Sequence, residues 1–124
     1  MKDRTATLFH IKYLADGFRK KRDWQQFHKP KDLALHLNSE VAEVLECFRY
    51  KSNREIRVCL EDAEFKREFS HEMADVLILL SLLAVETDVD LAAACREKME
   101  INEAKYPVEK CKGKNLKYTA YQEA

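Results

Sequence analysis

The stretch VLILLSLLAV, residues 76–85, is apolar all the way round any helix it forms, broken only by Ser81. A helix of that kind has no face to give to water and must be covered by other elements. It is too short to span a bilayer, so the cover has to be protein. Directly ahead of it stand Glu72 and Asp75, one helical turn apart. Charges carried into the buried end of a helix are costly unless something pairs with them. A fold for this chain must satisfy both demands at once.

Helices are the available cover. Two glycines and two prolines in 124 residues are too few for a turn-rich β-architecture. Residues 4–22 place Leu8, Ile11, Leu14, Ala15 and Phe18 at helical spacing and end in RKKR, a basic run expected as a solvated helix end. DWQQFHKPKD reads as a loop, with Pro30 in the first turn of the next helix. That second helix is expected over 31–50, with Leu33, Leu37, Val41, Val44, Leu45 and Phe48 on its apolar face. Residues 51–63 read as a loop holding a short helix around REIRVCL. A third long helix covers about 64–86, and Asp88 or Asp90 caps a fourth over 89–105, which Tyr106-Pro107 stops. The expected fold is therefore all-α, a four-to-five-helix bundle. Residues 1–107 form one domain, and the tail 108–124 has no order of its own unless it docks.

Lys plus Arg and Asp plus Glu both number 22, so the formal net charge is zero. That balance argues against a general nucleic-acid or anionic-membrane binder, which would carry a basic excess. MKDRTATLFHIK has no apolar core of signal-peptide length, and a cytoplasmic location is expected. No C-x-x-C pair occurs, which disfavours a zinc ribbon or a disulfide framework. Cys47, Cys59 and Cys95 are expected in the core and Cys111 at the surface.

Glu40 and Glu43 in SEVAEVLECF repeat the spacing of Glu72 and Asp75. Side chains three apart are neighbours on a helix, and each acidic pair is interleaved with core residues. Either pair alone is an ordinary solvated face. Two such pairs on adjacent, antiparallel helices would bring four carboxylates to one spot, where a cation is the natural counter-charge. An all-oxygen set suits Mg²⁺ or Mn²⁺ better than zinc or copper. A ferritin-like di-iron centre needs E-x-x-H twice; Glu68 and His71 supply one, whereas His10, His28 and His36 lack the glutamate. A non-catalytic helical interaction module explains the apolar face and leaves four inward-leaning carboxylates without a purpose.

E-x-x-E followed after a spacer by E-x-x-D resembles the signature of the MazG-type all-α nucleoside triphosphate pyrophosphohydrolases. RDWQQFHKP and KMEINEAKYP extend the resemblance, toward the dCTP pyrophosphatase-like branch, over about residues 15–107. The resemblance implies that Glu40, Glu43, Glu72 and Asp75 bind Mg²⁺ and that a nucleoside triphosphate is cleaved between its α and β phosphates. It implies Glu43 or Glu40 as the group that takes a proton from water, and a role in removing excess or non-standard nucleotides. Trp24, Gln26, Phe27 and His28 would bind the base, with Tyr50 able to stack; for Trp24 a core-capping aromatic and for His28 a helix-entry hydrogen bond are the alternatives. Lys98, Asn102, Lys105 and Tyr106 match the family's K-M-x-x-N-x-x-[KR]-Y-P stretch and would meet the phosphates. Ser39 stands where many members carry a further glutamate, a position Glu46 could serve. Ala15, Tyr50 and Leu79 stand where animal dCTP pyrophosphatases carry His, Trp and Tyr, so dCTP, dATP or a modified deoxynucleotide is the expected substrate. A homodimer or homotetramer is expected, with sites near subunit contacts.

Overall fold

The computed structural model describes residues 1–122. Their regular structure is all helical: α1 Leu8–Lys20, α2 Pro30–Glu46, α3 Asn53–Cys59, α4 Ala63–Glu86, α5 Leu91–Lys105, and short α6 Val108–Cys111 and α7 Thr119–Gln122. None of them is long and apolar enough to cross a membrane. The chain divides into two compact units, one from Met1 to Val89 and one from Asp90 onward.

Local chemistry sets the helix ends. Thr7 caps α1, its hydroxyl accepting from the His10 N–H while the Thr7 N–H donates to His10 Nδ1 at 3.0 Å. This starts the helix later than residue 4. Pro30 occupies the first turn of α2, where its missing N–H costs nothing. α2 ends at Glu46, short of residue 50, and the chain turns through Tyr50 at φ 61°. Asp62 and Asp90 cap α4 and α5 by accepting the N–H groups of Phe65 and Ala93 at 2.8 and 2.9 Å. Asp88, the other candidate cap, instead takes φ 53° in the turn between them.

In the first unit α4 packs along α2 and, less extensively, along α1. Ala15, Leu33 and Leu82 form the buried centre, with Leu79 and Leu83 against it. Leu33 is fully buried, which is worth roughly 1.5–3 kcal/mol. The apolar faces are only half used. Val41 and Leu45 of α2, expected inside, are 51% and 67% exposed, and Leu14 and Phe18 of α1 are exposed as well. α1 and α2 each pack on α4, and the sides they turn away from it stay uncovered.

The RKKR run is not a uniformly solvated end. Arg19 is 2% exposed and forms ion pairs with Asp16 at 2.8 Å and Glu86 of α4 at 2.9 Å. The two carboxylates meet the guanidinium's fork and make its burial tolerable.

Within the second unit the described part of the tail packs on itself and on Tyr106. The Tyr106 ring lies 6.4 Å from Tyr118 and 6.1 Å from Tyr121, and the buried Tyr121 hydroxyl accepts the Leu116 N–H. Aromatic edges supply the packing that a Lys-rich composition conceals. Cys95 is exposed on α5 and Cys111 half-buried in α6, the reverse of expectation: α5 exposes nearly every side chain, while α6 folds into the tail.

Candidate functional site

Packing of α4 on α2 brings acidic side chains together. Carboxylate oxygens of Glu40, Glu43 and Glu72 lie within 4.8 Å of one another. Asp75, one turn further along α4, is exposed and outside this triad, yet its charge acts on both Glu40 and Glu72. Burial, then the charges of Glu43 and Asp75, raise the Glu40 carboxyl above its ordinary range, against a smaller opposite pull from His36. Burial and the adjacent Glu43 carboxyl do the same to Glu72.

Glu72 Oε2 is buried and accepts no hydrogen bond. An orphaned carboxylate oxygen among other carboxylates is an arrangement a divalent cation relieves, and the oxygen-only donor set fits Mg²⁺ or Mn²⁺. Cys47, one turn beyond Glu43, donates its S–H to the Glu43 carbonyl at 3.6 Å. Burial and then the Glu72 charge push this thiol up, so it stays protonated at neutral pH and adds no soft ligand. Glu68 and His71 are both exposed, and the cluster contains no histidine among the described residues. The di-iron pattern is therefore not assembled there.

Beside the carboxylates a cavity of about 530 Å³ opens between α1, the α1–α2 loop, the start of α2 and α4. That volume is in the range of small-molecule sites. Ala15 and Leu79 line it, as do Trp24, His28, His36 and Asp75. Four of its side chains form an edge-to-face series. Phe18 to Trp24 is 5.8 Å, Trp24 to His28 6.1 Å and His28 to His36 6.5 Å between ring centroids. His28 Nδ1 is buried without a partner. Burial, then the charges of Arg19 and His36, lower the His28 pKa, so the ring is neutral at neutral pH. A neutral imidazole offers one donor and one acceptor.

The remaining expected site residues lie elsewhere. Gln26 folds back on Asp23, its amide donating to the Asp23 carbonyl at 2.9 Å, and Phe27 is 63% exposed. Tyr50 is 90% exposed, under the Arg49 guanidinium, in a left-handed conformation uncommon for so bulky a residue. None of these three lines the cavity. In the second unit Lys98 is exposed, Asn102 half-buried, and the Lys105 ammonium stands 4.8 Å from the Tyr118 ring centre, with Tyr106 in the same aromatic group. Sequence reasoning missed Arg19 as a buried brace and His36 as a wall residue. The i, i+4 relation of His36 to Glu40 was the available signal, since such side chains share a helix face.

A model of the MazG-like family matches residues 35–120. The chain belongs to that family. Over 113 residues this MazG-like chain is 40% identical to dCTP pyrophosphatase 1 of Rattus norvegicus, across 91% of the chain and 66% of the rat enzyme. Identity to the Homo sapiens enzyme is 38% over 113 residues, with the same coverages. The chain thus spans about two thirds of the length of these relatives. Among solved structures it is similar to a pyrophosphatase from Archaeoglobus fulgidus DSM 4304, with TM-score 0.76 and 36% identity, covering 86% of this chain and 98% of that one. The all-helical fold of this family member agrees with that likeness.

Proposed function

We propose that the protein is a cytoplasmic, Mg²⁺-dependent nucleoside triphosphate pyrophosphohydrolase that removes excess or non-standard deoxynucleotides, with dCTP or dATP the leading substrates. The observation that carries this reading is the meeting of Glu40, Glu43 and Glu72, one oxygen orphaned, beside an aromatic-walled cavity. Resemblance to named dCTP pyrophosphatases supports the substrate class.

Glu40, Glu43, Glu72 and Asp75 would hold the ion, Mn²⁺ serving as a substitute. When bound, Mg²⁺ supplies charge neutralisation for phosphate oxygens and acidifies water. Trp24 offers an aromatic face or edge to the base, and His28 a donor and an acceptor to its polar rim. Gln26, Phe27 and Tyr50 are proposed as outer base contacts. Lys98, Asn102, Lys105 and Tyr106 are proposed as phosphate contacts on the chemistry of their ammonium, amide and phenol donors. Glu43 or Glu40 takes the proton of the attacking water. Water then adds across the α–β anhydride, giving a nucleoside monophosphate and pyrophosphate. We assign catalysis to residues 1–107, with 108–124 as a tail, and propose a homodimer or homotetramer.

The test is a panel of dNTPs and NTPs with Mg²⁺, scored for pyrophosphate against orthophosphate. Pyrophosphate is the expected direct product, and orthophosphate alone would sink the α–β assignment. Glu43→Gln and Asp75→Asn should each lower kcat at least ~100-fold with the helical fold retained, since even indirect supports of a metal site are worth about 10–100-fold. Undiminished turnover would remove them from the site.

A further inference from the structure

The proposed reaction gives no role to His36, a polar wall residue of the cavity. His36 ends the ring series Phe18–Trp24–His28–His36, its centroid 6.5 Å from that of His28. It is exposed, it lines the cavity together with Asp75, and its ring nitrogens have no hydrogen-bond partner among the described residues. One helical turn further along α2 stands Glu40, in the carboxylate triad. Side chains related by i, i+4 have Cβ atoms about 5–6 Å apart.

On the reading proposed above, a nucleoside triphosphate has its base against the rings and its phosphates at the carboxylates. Its sugar must then span the step between Trp24/His28 and Glu40, and His36 occupies that step. The geometry points to His36 as a specificity-determining residue that hydrogen-bonds the 3′-hydroxyl of the substrate's sugar. The α-phosphate is the less suitable partner, because it has to lie a full turn away, where an ion held by Glu40, Glu43 and Glu72 can reach it. The base is also less suitable, because Trp24 and His28 come before His36 in the series.

The experiment compares kcat/KM for a dNTP and its 2′,3′-dideoxy counterpart with the same base, in the unmodified protein and in His36→Ala. The variant should lose about tenfold on the deoxynucleotide, the worth of one well-placed hydrogen bond. On the dideoxynucleotide it should stay within about twofold, a change smaller than such a bond accounts for. His36→Gln, which keeps a donor and an acceptor, should recover part of the loss. The Mg²⁺-induced rise in the melting midpoint, measured without nucleotide, should be the same in all three proteins. An equal loss on both nucleotides would place His36 on the phosphates or in the fold and overturn the assignment, and so would no loss on either. Turnover by the unmodified protein that ignores the 3′-hydroxyl overturns the role of His36 alone. Failure to release pyrophosphate from either nucleotide overturns the hydrolase reading, and the role of His36 with it.

Discussion

Glu72 and Glu40 carry the main electrostatic tension of the molecule. Burial and neighbouring carboxylates raise both above the ordinary carboxylate pKa of about 4.3. A folded-state pKa raised for an acid means that the native state holds its protons longer than the unfolded chain does. The metal-free fold therefore loses stability as pH rises from the ordinary range through the raised values, and a divalent ion reverses that loss. Two results are expected in thermal melts. The Mg²⁺-induced rise in midpoint should be larger at pH 8 than at pH 5, where protons compete for the same oxygens. Glu72→Gln should raise the metal-free midpoint while abolishing the response to Mg²⁺. An equal Mg²⁺ response at both pH values would contradict the assignment of these oxygens. The spacing of the acids was legible in the sequence. That three of them close on one another while Asp75 stands apart depends on how α2 and α4 are rotated, which no local pattern encodes.

At the scale of elements, Arg19 is the brace between α1 and α4. It replaces apolar contact with two ion pairs, to Asp16 and across to Glu86. Removing one member of a buried pair strands the others, so Arg19→Met should cost about 3 kcal/mol, the lower end for such losses because both carboxylates are partly solvated. Chemical denaturation should read this as a shift in midpoint at unchanged slope. Although burial pushes Asp16 up, its bonds to Lys20 and Arg19 hold it below the ordinary carboxylate range. Its contribution is present above the unfolded value of about 3.9 and is lost as pH falls through the lower folded value. The Arg19→Met penalty should therefore shrink in acid below pH 4. Helix identity was readable from periodicity and caps, and α4 follows its pattern almost to the residue. The brace was not readable, because a four-residue basic run looks the same whether one member turns inward or none does.

For the whole molecule, the apolar surface left open matters most. Leu35, Val41 and Leu45 on α2 and Met73, Leu77 and Leu80 on α4 are 36–67% exposed. Exposed apolar side chains in such number on two packed helices favour the proposed self-association. Light scattering at micromolar concentration should give a mass at least twice that of one chain, and Leu45→Glu should shift it toward the monomer. A monomeric unmodified protein would overturn the proposed assembly. The sequence marked Val41 and Leu45 as inward-facing by their spacing, and Leu77 and Leu80 by their place in an all-apolar stretch, but neither pattern distinguishes a chain's own core from a surface meant for a partner. Trp24 has a different kind of consequence. It is the chain's single indole, fixed in the cavity wall edge-on to His28. With excitation set beyond the tyrosine band, ultraviolet emission from this protein therefore comes from one place, and that place is where a nucleobase would sit. Filling of the cavity can be followed by eye of a fluorimeter, without label, product or turnover.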